Sequence, residues 1–141
     1  MSLDLRAKFI FMMAIGYGVF AVFWALAPYT SINFPARFII DVLDWPIDNT
    51  AQPLSKNTQW LSSIGAGLLA SLAILLGGII APAAKTGDVR TVRIGFWAIL
   101  IWYVIDSVGS VASGVASNAV FNTLFAVPLL LPMYGLKAQA D

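Results

Sequence analysis

Apolar residues fall along this chain in long runs, and short polar stretches separate the runs. A helix crossing hydrocarbon needs roughly 20 residues with little charge. Four stretches qualify. The first runs from about Phe9 to Ala27, between Arg6/Lys8 and Pro28, and the second from about Trp60 to Ala81, ahead of Pro82. The third begins at Ile94, just after Arg93, and reaches the Gly114 region; the fourth runs from about Val115 to Tyr134. No ten-residue alternation of apolar and polar positions recurs, so the runs predict helices and not a barrel. The expected fold is an all-α membrane protein: one domain over residues 1–141, a bundle of four transmembrane helices at about 9–27, 60–81, 94–113 and 115–134. The last two spans nearly touch, which predicts a tight antiparallel hairpin turning near Ser113–Ser117.

Residues 28–59 form the substantial extramembrane stretch, and its pattern is helical over Phe34 to Trp45. Phe34, Phe38, Val42 and Trp45 share one face, widened by Ile39 and Leu43. Arg37, Asp41, Asp44 and Asp48 follow at helical steps on the other, which reads as a solvated face. Pro35 suits a first turn and Pro46 a stop. The expectation is a short amphipathic interfacial helix between the first and second spans, with Trp45 at headgroup depth. Asn57 or Thr58 is placed to cap the second span.

Composition narrows the function. Of 141 residues, 60% are hydrophobic and 11% charged, against about a quarter charged in soluble domains. A soluble enzyme and a disordered chain are thereby excluded, and a net charge of +1 leaves no footprint for nucleic acid. Cys and His are both absent, which removes disulfides, thiolate chemistry, Cys-held clusters and the commonest metal ligand. Ser/Asp/His catalysis is impossible without His, and Lys56 and Lys85 lie too far out for a Ser–Lys pair. Gly65-Ala66-Gly67 sits inside a span, without the strand-to-helix setting of a nucleotide loop. The chain is expected to be no enzyme. A pigment, quinone or lipid needs only aromatic and apolar walls, so the cofactor, if there is one, stays unknown at this level.

The basic residues predict orientation. Of the eight Lys and Arg, six (Arg6, Lys8, Lys85, Arg90, Arg93, Lys137) fall on the side of the termini, and Arg37 and Lys56 on the other. Both ends are therefore expected in the cytoplasm. Arg6 and Lys8, the apolar run and Ala25-Leu26-Ala27 also resemble a secretory signal. Pro28 at the would-be cleaved bond and the length of the run argue against removal. In general class the chain resembles small four-span bacterial inner-membrane proteins, a resemblance that brings no site residues with it.

Small residues recur at helical spacing. Ser63, Gly67 and Ser71 make one ridge on the second span, and Ala66, Ala70 and Ala73 another beside it. Helices associate in lipid by close packing, so such ridges serve the monomer or other subunits. Phe11, Phe20, Phe23 and Trp24 in the first span, and Phe96, Trp97, Trp102 and Tyr103 in the third, are expected to face lipid or partners.

The sharpest feature is Asp106. It lies 13 residues beyond Arg93, about 20 Å along a helix. A carboxylate there must face the bundle interior, find a polar partner or take up a proton. Ser110 and Ser113 follow it on one face, and Tyr103 precedes it by a turn. Asn118 and Asn122 share a face of the fourth span. A symmetric hairpin sets Asn122 opposite Asp106 and Asn118 opposite Ser110. Asp106, Ser110, Asn118, Asn122, Tyr103 and Ser113 are thus the candidate intramembrane polar site.

Two functions fit. The first is a structural or accessory membrane protein that self-associates, or packs on a larger membrane complex. The second is a small oligomeric transporter or channel for a cation, proton or small polar solute, with Asp106 in a ring. The direction in which Asp106 faces discriminates between them.

Overall fold

The computed structural model describes residues 1–136. Lys137, one of the basic residues used for orientation, lies outside them. Four helices are long and apolar enough to cross a membrane: Leu3–Trp24, Lys56–Thr86, Val89–Ala112 and Ala116–Met133. The first is α1. A short α2 (Phe34–Leu43) follows. The second long rod is α3 (Lys56–Leu75), a π-helical segment (Leu76–Ile80) and α4 (Ala81–Thr86). The last two are α5 (Val89–Ala112) and α6 (Ala116–Met133).

Helix ends follow local chemistry. Ser2 caps α1 and Ser55 caps α3, where its hydroxyl accepts from the Thr58 N–H at 3.1 Å. The cap of the second span is therefore Ser55, not Asn57 or Thr58: its extended backbone leaves the hydroxyl facing the free N–H groups of the first turn. Gly87, at φ +75, ends α4 in the left-handed region and lets the chain reverse. Asp88 then caps α5 through the Thr91 N–H and hydroxyl, at 3.1 and 2.6 Å. Gly114, at φ +86, makes the corresponding turn between α5 and α6.

Which face turns inward is decided by size, because lipid is as apolar as the core. On α1 the buried positions are Ala7, Ile10, Ala14, Tyr17 and Ala21, at steps of three and four, while Phe9, Phe11, Met12 and Phe23 stay outside. The tightest approach at a glycine lies nearer the loops, where a β-carbon at Gly65 would stand 2.5 Å from Trp24 Cη2. Close crossings also mark the half of the bundle that holds the termini. A β-carbon at Gly77 would stand 3.4 Å from that of Ala14, and one at Gly95 would stand 2.9 Å from Ile80 Cδ1. Arg6 ties the chain ends together there, donating to the Pro132 and Tyr134 carbonyls at 2.6 and 2.8 Å. These are among the carbonyls that the end of α6 leaves without helical partners.

The two small-residue ridges of α3 part company. Ala66 and Ala73 are buried, with Gly18 of α1 lying against Ala73, whereas Ser63, Gly67 and Ser71 are exposed. The Ser63 and Ser71 hydroxyls bond back to the carbonyls of Gln59 and Gly67. Among the described residues, α5 packs closely on the second span only along the π segment and α4; nearer the loops it runs with α6, and α3 with α1. The space left between α3 and α5 is the cavity described next.

Candidate functional site

A cavity of about 500 Å³ lies among α1, α3, α5 and α6, with Leu43 at the end of α2 also on its wall. It is aromatic and aliphatic on most sides, through Tyr17, Phe20, Trp24, Trp102 and Phe125 with Leu68, Leu69 and Leu72. Asp106, Asn118 and Asn122 make its polar wall. On α5 the inward seam runs Val92, Gly95, Ile99, Trp102, Asp106, again at steps of three and four, so Asp106 continues the packing face into the cavity.

The polar residues form three small groups. Ser110 donates to Asp106 Oδ1 at 3.2 Å. The Asn118 amide donates to the same oxygen at 3.2 Å and to Ser110 Oγ at 2.8 Å. Asp106, Ser110 and Asn118 thus close a triangle that stitches α5 to α6. Asn122 is not the partner of Asp106; its amide reaches Ser107 Oγ at 3.4 Å. The hairpin keeps the expected register, with Asn118 against Ser110. Asp106 lies one helical turn from Ser110 on the same face, so the Asn118 amide reaches both. Tyr103 turns away from Asp106 to Thr123, 2.9 Å off. The Thr123 hydroxyl spends its proton on the Ala119 carbonyl at 2.8 Å, so Tyr103 is the donor. Ser113 is exposed in the turn that ends α5 and does not join the cluster.

The aromatic residues depart from expectation. Phe20, Trp24 and Trp102 line the cavity, while Phe11, Phe23 and Trp97 are exposed as expected. Tyr17, which sequence reasoning passed over, is 4% exposed, edge-on to Trp102 and beside Phe125. Its hydroxyl and the Trp24 indole N–H are buried without a hydrogen-bond partner among the described residues. A buried polar atom left so costs about 1–3 kcal/mol, and most native polar groups avoid it. The signal for both residues was available: 7, 10, 14, 17, 21 and 24 continue one heptad-like seam from the small residues of α1.

The loop end of the cavity is held by α2. Asn33 donates to the Ala27 carbonyl at 3.0 Å, and Ser117 to the Leu43 carbonyl at 2.7 Å. Asp41 is not on a solvated face: it is 4% exposed, and both its oxygens accept from the Asn49 N–H at 3.0 Å. The following loop folds back over α2, and its free N–H groups need an acceptor there. Phe34 and Phe38 stack on the outside, on a groove shared with Phe20 and Phe125.

Among the described residues no group of three or more acidic, Cys or His side chains could hold a metal ion. The all-helical fold with its spanning segments fits a membrane-associated role without a catalytic metal or cysteine cluster. Comparison with known protein families, curated proteins and solved structures finds no match to this chain.

Proposed function

We propose that this chain is a non-catalytic accessory protein of the bacterial inner membrane, and that it works by holding a small amphipathic molecule inside its own bundle. The observation that carries this is the cavity itself: apolar and aromatic over most of its wall, polar at Asp106, Asn118 and Asn122, with two buried donors left unsatisfied beside it. Ligand sites combine these features. The test is to extract the protein in native lipid and weigh it intact, beside Leu72→Trp, which fills the cavity. A bound small molecule in the parent and none in the variant is the expected result; bare protein in both would overturn the reading.

Self-association or packing on a larger complex accompanies this role, supported by the outward Ser63–Gly67–Ser71 ridge, where nothing lies within 4 Å of a β-carbon at Gly67. The same intact masses read it, and Gly67→Leu should break the assembly. The transporter reading draws less support, since a ring pore wants Asp106 towards a subunit axis and here it faces the cavity of one chain. Residence with both termini in the cytoplasm rests on the distribution of Lys and Arg.

A further inference from the structure

The cavity holds an acid and no base. Asp106 is the one acidic or basic side chain on its wall among the described residues; no Lys or Arg reaches it. The hydrogen bonds to Asp106 all fall on Oδ1. Oδ2 takes none among the described residues, and the side-chain oxygens of Asn118 and Asn122 accept none either. Three acceptor atoms are thus open on one wall, and aromatic rings make up much of the rest.

Resting on the binding role proposed above, we infer that the ligand is a small lipophilic organic ammonium. Its N–H groups bond the oxygens of Asp106, Asn118 and Asn122, and its body lies against Trp24, Trp102, Phe20 and Phe125. Charge selects it. A lone carboxylate in a low-dielectric cavity repels fatty acids, phosphates and other anions, and a bound cation offsets the cost of keeping a carboxylate out of water. Hydrogen bonds from a charged nitrogen to a carboxylate are roughly twice as strong as neutral ones. Aromatic faces, Trp above all, attract a cation within about 6 Å of the ring centre. Lipophilicity follows from the way in: Leu68 and Ala98 are exposed and line the cavity, so its rim faces the lipid side of α3 and α5.

The full chain in nanodiscs of zwitterionic phosphatidylcholine, which has no net charge, tests this with two probes of like size, phenethylammonium and neutral 2-phenylethanol, followed by tryptophan fluorescence and melting temperature. The amine should saturate and bind at least about tenfold more tightly than the alcohol. Asp106→Asn keeps an acceptor for Ser110 and Asn118 but removes the charge; it should weaken the amine at least about tenfold and leave the alcohol unchanged. Trp24→Leu, away from the polar triangle, should weaken the amine more than the alcohol, and Leu72→Trp should abolish both. Equal affinity for the two probes, or amine affinity unchanged in Asp106→Asn, would overturn the ammonium assignment while the binding role stands. Binding of neither probe, with no molecule co-purifying in native lipid, would overturn both.

Discussion

The two ends of this bundle are built from the same four helices and pack in opposite ways. Towards the termini the helices close on one another: the largest fully buried side chains, Ile10, Leu76, Val92, Ile99, Leu129 and Pro132, all lie in that half. Towards the loops α3 and α5 separate, and the space fills with the edges of aromatic rings, three polar side chains and a cavity. The difference lies in what occupies the inward seams. Near the termini they carry Ala, Gly and close-fitting aliphatic residues, which let backbones approach. Nearer the loops the same seams carry Tyr17 and Trp24 on α1, and Trp102 and Asp106 on α5. Bulk and polarity there hold the helices apart, so the chain spends packing energy at one end and keeps a hole at the other.

The largest effect expected comes from breaking the closed half. Gly95→Leu places a side chain where even a β-carbon would stand 2.9 Å from Ile80 Cδ1, so the Ile80 side chain or α5 itself must give way. Overpacking of this kind costs about 1–3 kcal/mol and sometimes more. Gly67→Leu, the same change where nothing lies within 4 Å, should leave the monomer's thermal stability unchanged. Melting in detergent under monomeric conditions compares them; equal losses would show that the two faces of the bundle do not differ as described.

Much of this fold was legible because it rests on lengths: apolar runs and basic flanks give the four long helices, although the second continues through Pro82 to Thr86. The period from Phe34 gives α2, which ends at Leu43 before reaching Trp45. The interior was harder to read. In lipid, hydrophobic periodicity fades because the outward face is as apolar as the inward one, so Phe20, Trp24 and Trp102 looked the same as Phe11 and Phe23. The spacing of small residues carries the missing information, and it points to Tyr17 and Trp24. Within the polar cluster, the residue types and their helix faces were readable. The pairing was readable in part: Asn118 meets Ser110 as a symmetric turn requires, but its amide also reaches back one helical turn to Asp106, which register alone does not reveal. Asp41 escaped for a different reason, since its acceptor role depends on a loop whose course no periodicity encodes.

A smaller effect should appear at the cavity wall, and it separates a packing role from a binding one. Asp106→Leu removes the acceptor for Ser110 and Asn118 and leaves both without that partner. Interhelical hydrogen bonds in membranes are worth about 0.6–2 kcal/mol, so the loss should be modest and below that of Gly95→Leu. Asp106→Asn, which keeps the shape and an acceptor oxygen, should leave the melting temperature unchanged or raise it. If Asp106→Leu melts as the parent does, the triangle contributes nothing to the fold.

The smallest effect belongs to the turn that closes the packed end, and it is read by pH. The Asp88 carboxyl, outside the spans, is held below the usual carboxylate range, first by the hydrogen bond from the Thr91 side chain and then by that from the Thr91 backbone. A group whose folded pKa is lowered binds its proton more weakly when folded than when unfolded. It therefore adds stability above its unfolded pKa, near 3.8, and loses it as pH falls through the lower folded value. Asp88→Ala should melt slightly below the parent at neutral pH, and the gap should shrink as the pH drops through and beneath the ordinary carboxylate range. Some of the gap should survive in acid, because a protonated Asp88 still offers the Thr91 N–H an oxygen. A gap that stays constant from neutral pH into acid would mean that the charge on Asp88 has no part in capping α5, and that the cap works as a neutral acceptor alone.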